Sequence, residues 1–172
     1  MMTSDDIVID RVDENDRVLG PISRKNIYRE NASFRTSHIF VFNSKGELLL
    51  QKLASTRERY PGKWGSSVAG YVISGESYEQ AAKRKLMDEL GVSSSGAKLQ
   101  TIGKTFIQDE GRKKFITLYR TDHDGGFKPD SEQIDEVKFF ALKKIEEMRK
   151  DNPDEFTPNF LYLLDFYTNQ KK

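Results

Sequence analysis

A chain of 172 residues is long enough for one domain with a real core and too short for two comfortable ones. Its 28 Lys and Arg against 27 Asp and Glu leave a formal net charge of +1, so no global field argues for nucleic acid or a membrane surface, and any anion must be recognised locally. The absence of cysteine removes disulfides, thiolate zinc sites and cysteine nucleophiles, and the two histidines, His38 and His123, lack ligand-like spacing.

The start, MMTSDDIVID, is acidic and lacks the basic residues and apolar run of a secretory signal, and no apolar stretch reaches membrane-spanning length; the expected location is cytoplasmic. Ile7 to Leu19 reads as two short strands joined by the turn formers Asp13 to Asp16, with Ser23 as the cap of a short helix through Ile27 and Tyr28. From His38, HIFVFN predicts a strand, Ser44-Lys45-Gly46 a turn and ELLLQK the returning strand. The polar segment LASTRERYPGKWGSS predicts a loop, and Ser66 to Ala69 a short strand that delivers Gly70. After Val92, LQTIGKTFIQ and KKFITLYRT form a second predicted hairpin around Asp109-Glu110-Gly111, and Val137 to Leu142 a last strand. Leu142, Ile145 and Met148 are spaced for a short helix. Thr157-Pro158 caps a closing helix that buries Phe160, Leu163, Leu164 and Tyr167. Hairpins with helices inserted between them predict a mixed sheet flanked by helices, as one domain over residues 1–172, with 1–36 a hairpin and short helix packed on it.

The most informative stretch runs from Gly70 to Val92, GYVISGESYEQAAKRKLMDELGV. Tyr78, Ala82, Leu86 and Leu90 place an apolar stripe on a helix, with Arg84, Lys85, Asp88 and Glu89 predicted on its other flank. Gly75 and Glu76 mark the entry, and Gly91 sits where a left-handed residue ends a helix. Hard divalent ions favour oxygen ligands, and carboxylates gathered at such a helix can hold one.

The spacing of Gly70, Glu76, Arg84, Leu86, Glu89, Gly91 and Val92 resembles the box of the Nudix hydrolases, G-x5-E-x7-R-E-U-x-E-E-x-G-U, where U is a bulky aliphatic residue. Lys85 stands where that box has a glutamate, and Asp88 replaces another. The resemblance implies an α/β/α sandwich with a mixed β-sheet, and Mg2+ or Mn2+ held by Glu76, Asp88, Glu89 and the Ala69 carbonyl. It also implies catalytic roles for Glu89 and Arg84, with Arg84 orienting a box carboxylate. A further carboxylate from outside the box is expected as ligand or general base; Glu110, Glu132 and Glu136 are candidates, Glu136 being preferred. Lys52 and Arg57 are the expected substrate-binding residues, followed by Arg59 and Lys63 in the same loop, with Trp64 as packing beneath it.

The segments IDRVDENDRVLG, FVFNSKGELLLQKLASTRERYPGKWGSSVAGYVISGES and IDEVKFFAL resemble the Nudix branch that includes isopentenyl-diphosphate isomerase and its hydrolase-like neighbours. In that isomerase a cysteine precedes the loop glycine and a histidine follows it; here these positions hold Ala69 and Tyr71. The expected activity is therefore divalent-metal-dependent hydrolysis of a diphosphate bond in a nucleoside diphosphate derivative or related small metabolite, with no nucleic acid polymer or membrane as partner. An isomerase-like protein and a non-catalytic diphosphate-binding domain are the alternatives.

Overall fold

The computed structural model describes residues 6–170, so the first five residues of the acidic start lie outside the described residues. Strand β1 (Val8–Val12) pairs antiparallel with β2 (Val18–Ser23), as expected. Their turn is fixed by Asp13, whose Oδ1 accepts the N–H groups of Asn15 and Arg17. The helix expected after Ser23 is a single 3-10 turn, Arg24–Asn26, and the Ser23 side chain makes no capping bond. Burial of Ile27 with Ile9, Ile22, Ala32 and Phe34 fixes this segment instead.

The main sheet contains β3 (Phe34–Phe42), β4 (Leu48–Leu53), β5 (Trp64–Gly65), β6 (Val68–Tyr71), β7 (Gln100–Asp109), β8 (Arg112–Asp122) and β9 (Ile134–Phe140). It runs β5-β4-β3-β8-β7, with β6 on β3 and β9 on β4. β3 is parallel to β8 and antiparallel to β4 and β6, which makes the sheet mixed. It starts four residues before the predicted strand because Arg35, Thr36 and Ser37 are polar yet paired: they bond Asp16, the Phe115 carbonyl and the Tyr78 carbonyl.

Strand alternation divides the core in two. Ile39, Val41, Leu49 and Val68 face helix α1 (Tyr78–Leu90) through Ala82, Leu86 and Leu90. Phe40, Phe42, Leu48, Leu50, Ile116 and Leu118 face helices α2 (Leu142–Asp151) and α3 (Pro158–Gln170). The result is an α/β/α sandwich. Thr157 caps α3 through Phe160 N–H at 3.2 Å, and the expected face of Phe160, Leu163, Leu164 and Tyr167 is buried. Trp64 is a packing residue, buried edge-on against Phe140. Among the described residues no helix is long and apolar enough to cross a membrane.

Helix α1 begins with a capping box that the sequence reading did not identify: Ser77 Oγ accepts Gln80 N–H at 3.1 Å, and Gln80 Oε1 accepts Ser77 N–H at 2.9 Å. Gly91 ends it at φ 68°, a conformation costly for residues with a side chain. Removing the Ser77 hydroxyl in a Ser77→Ala variant is expected to cost about 1 kcal/mol, a drop of about 2–4 °C in Tm read by thermal denaturation.

Candidate active site

Glu89 is the buried carboxylate of the box helix, and the structure corrects its expected place on the flank opposite the apolar stripe: it is only 6% exposed. A strict four-residue spacing drifts around a helix, whereas Ala82, Leu86 and Glu89, at i, i+4 and i+7, stay on one face. That face lies on the sheet, so a carboxylate is carried inward with the apolar stripe. Glu89 Oε1 accepts the Ala69 N–H at 3.0 Å and Gln51 Nε2 at 3.2 Å. Burial pushes the carboxyl up, against the opposing pull of Lys85, the Ala69 N–H, Gln51 and Arg57.

Gln51 was not among the predicted residues. In LLLQK it shares strand parity with Leu49, which faces α1, and that parity was the available signal. Its Nε2 also bonds the Ser67 carbonyl at 3.2 Å, while its buried Oε1 has no partner among the described residues.

Lys85 points into the site. Its ammonium lies 3.7 Å from Glu89 Oε2, and its aliphatic stem crosses Gly70 so closely that a Cβ there would stand 2.5–2.6 Å from Lys85 Cγ, Cδ and Cε. Gly70 is thus required by close approach of a side chain. The antiparallel ladder explains the exposure of Ala69: Val72 N–H bonds the Arg35 carbonyl, so alternation turns the peptide groups of Ala69 away from β3. The Ala69 N–H meets Glu89, and its carbonyl opens along the same edge.

Glu76 and Arg84 form a separate unit. Arg84 donates to both Glu76 oxygens, at 2.8 and 3.0 Å, and to the Tyr71 carbonyl at 3.0 Å. Glu76 also accepts the Ile73 N–H at 2.9 Å. Burial opposes its ionisation, but these bonds outweigh burial and hold the carboxyl below its ordinary value. Asp10 pins the same loop by accepting the Ser74 hydroxyl and Gly75 N–H. Arg84 therefore holds the Glu76 carboxylate by a two-point fork.

Two further expectations are corrected by register. Lys52 pairs with Glu136 across β4 and β9, and Lys52 lies over the Trp64 ring. Both positions share the face that carries Leu50 and Phe140, opposite Glu89. Glu136 is consequently not placed to act as base beside Glu89, and Lys52 does not join it. Arg57 remains close enough for its charge to act on Glu89. Glu110 is exposed at the β7–β8 turn, where its carbonyl accepts from Asn31, and Glu132 is exposed beside Asp130.

The expected acidic ligand set is not assembled: among the described residues no three His, Asp or Glu side chains form a group that could hold a metal. Glu76 is occupied by Arg84, and Asp88 is exposed with its carboxylate 3.7 Å from the same arginine. Around Glu89 the buried Gln51 Oε1 lacks a partner among the described residues, and with Glu89 Oε2 and the Ala69 carbonyl it is of the oxygen type that a hard divalent ion takes. Mg2+ needs only one or two carboxylates when water and substrate phosphates complete its shell.

The NUDIX domain family model matches residues 33–160. An uncharacterized Nudix hydrolase of Pseudomonas aeruginosa is 31% identical over 164 residues, 95% of each chain. Isopentenyl-diphosphate Delta-isomerase 2 of Photorhabdus laumondii is 32% identical, covering 88% of this chain and 87% of that protein. Of solved structures, a Deinococcus radiodurans protein superposes with TM-score 0.73 at 22% identity, covering 84% of this chain and 90% of that one. The NUDIX domain of Shewanella oneidensis NrtR, complexed with ADP ribose, superposes with TM-score 0.63 at 15% identity, covering 88% of this chain and all of that domain.

Proposed function

The chain belongs to the NUDIX domain family, and from that premise we propose that it hydrolyses a diphosphate bond in a nucleoside diphosphate derivative or related small metabolite, with Mg2+ or Mn2+. The observation that carries this reading is Glu89: a buried carboxylate with Oε1 hydrogen-bonded and Oε2 facing the Lys85 ammonium at 3.7 Å, beside an unpartnered amide oxygen. The ADP ribose complex of the NrtR domain supports the substrate class.

Glu89, Gln51 and the Ala69 carbonyl would hold the ion, and the bound ion would supply charge neutralisation at the phosphate oxygens. The Ala69 N–H and Gln51 amide keep the Glu89 carboxylate in one orientation. Arg57 and Lys85 bring positive charge to the bridging and terminal phosphate oxygens. Arg84 acts through Glu76, keeping the loop that carries Gly70 and Tyr71 in place.

A second reading, a binding domain without turnover, is favoured by one observation: the Lys85 ammonium lies 3.7 Å from Glu89 Oε2. An isomerase reading has less support, because Ala69 supplies no thiol for proton transfer to carbon. A phosphate-release screen over nucleotide sugars, dinucleoside polyphosphates, nucleoside triphosphates and isoprenoid diphosphates separates the first two. Mg2+-dependent cleavage of one class is expected; thermal stabilisation by a ligand that is never cleaved would establish the binder instead. Deuterium uptake from solvent into isopentenyl diphosphate would identify the isomerase.

A further inference from the structure

The β1–β2 hairpin lies outside residues 33–160, which the family model matches, yet it brackets the entry of α1. Before the helix, Asp10 holds Ser74 and Gly75, Ser74 N–H bonds the Val8 carbonyl at 3.0 Å, and Ile9 bridges to Ile73. At the helix start, Asp16 from the hairpin turn accepts the hydroxyl of Tyr78 at 2.7 Å, and Tyr78 is the first residue of α1. Asp16 also accepts Arg35 Nε and Lys104 Nζ, each at 2.6 Å, and both cations lie against the Tyr78 ring, 5.4 and 5.6 Å from its centroid. Ser37 Oγ donates to the Tyr78 carbonyl at 2.7 Å. The first residue of α1 is therefore tied to the hairpin by its side chain and to β3 by its backbone.

Asp16 is held at a cost. Its φ of 65° is left-handed, which disfavours a residue with a side chain, and it is only 8% exposed. Burial opposes its ionisation, but Arg35, Lys104 and the Tyr78 hydroxyl outweigh burial and keep the carboxyl below its ordinary value. Burial of Ile9, Ile22, Ile27, Ala32 and Phe34 already fastens the hairpin, so attachment alone does not explain a buried acid on a strained backbone. Directional restraint does. The contacts of Ala82, Leu86 and Leu90 are non-directional: they hold α1 on the sheet without fixing its position along its own axis. At its far end the helix is tied to the β8–β9 loop, where Lys128 and Asp130 N–H groups bond the Leu90 and Glu89 carbonyls. Glu89 lies about 16 Å along the helix from Tyr78, so a displacement at the start reappears at the carboxylate. A slide of about 1 Å would break the 3.0 Å bond from Ala69 N–H to Glu89. We propose that Asp16 is a positioning residue, which through the Tyr78 hydroxyl sets the axial position of α1 and so holds Glu89 against Ala69. The inference rests on Glu89 being the acidic group of the site, as proposed above.

Its test uses neither metal nor substrate: amide hydrogen exchange of the full chain, followed by NMR, at Ala69 against the core amides of β3 and β8. Tyr78→Phe keeps the pairs of Asp16 with Arg35 and Lys104 and removes the bond to α1. Exchange at Ala69 quickens by at least about tenfold relative to the core amides. Asp16→Gly suits the left-handed backbone, removes the carboxylate and has the same effect. Lys104→Gln removes an ion pair of Asp16 but no bond to α1, and leaves Ala69 within about twofold of wild type. A merely structural role would quicken all these amides together, in step with a fall in melting temperature. An Ala69 amide unchanged relative to the core in Tyr78→Phe, uniform acceleration in Asp16→Gly, or equal acceleration of Ala69 by Lys104→Gln would overturn the proposal. Tyr78→Phe decides alone where Asp16→Gly does not fold. An absence of diphosphate hydrolysis bears on the preceding proposal and leaves the exchange result to decide this one.

Discussion

Replacing Glu89 with Gln is expected to lower Mg2+-dependent turnover by roughly 10²–10³-fold, the loss typical of removing one preorganised charged or polar group from a water-poor site. The same variant should be more stable than wild type at neutral pH. Burial raises the folded pKa of Glu89 above its ordinary 4.5, so between those two values the native state holds a proton that the unfolded chain has released. The group's favourable contribution is complete below that ordinary value and is lost as pH rises through the folded one. Gln retains an oxygen for the Ala69 N–H and carries no charge to desolvate, so its melting temperature should not show this decline. Steady-state kinetics together with thermal melts from pH 4 to 8 check both parts. A variant that is inactive and also destabilised at neutral pH would mean that Glu89 serves the fold before it serves the site.

The second large effect is expected at Lys85. A dication about 6 Å from an ammonium is repelled by about 5 kcal/mol at an effective dielectric of about 20, and by less when the ammonium swings into water. Lys85→Glu replaces that repulsion with attraction and adds an oxygen ligand next to Glu89. Mg2+ binding should tighten at least about tenfold by isothermal titration. Without metal, the variant should be less stable at low ionic strength, because two carboxylates then adjoin with one buried. Unchanged Mg2+ affinity would show that Lys85, despite lying across Gly70, leaves the cation position free.

Much of this molecule was legible in its sequence because local patterns and tertiary demands agree. The hairpins of β1–β2 and β7–β8, the Thr157 cap of α3 and its face of Phe160, Leu163, Leu164 and Tyr167 were each set by alternation or helical spacing that the packed core also requires. The box glycines were legible for the same reason: Gly91 takes a left-handed conformation, and Gly70 lies under a crossing lysine stem. What escaped depended on partners distant in sequence. Nothing local in Arg35-Thr36-Ser37 reveals that Asp16, Phe115 and Tyr78 satisfy those polar groups within a strand. Lys52 and Glu136 have suitable chemistry, but pairing of β4 with β9 fixed their face, and a one-residue difference in register decides between Lys52 and Gln51. Glu76 and Glu89 were expected to converge on one ion, whereas Arg84, fork to carboxylate, holds Glu76.

In the proposed site a single buried carboxylate, Glu89, is the acidic ligand, in place of a cluster of three. Mn2+ titration followed by electron paramagnetic resonance, with a non-hydrolysable diphosphate analogue present, tests it most directly. A single ion per wild-type chain, no binding in Glu89→Gln, and unchanged stoichiometry in Asp88→Asn are expected. Two or more ions per wild-type chain, or Mn2+ retained in Glu89→Gln and lost in Asp88→Asn, would contradict it.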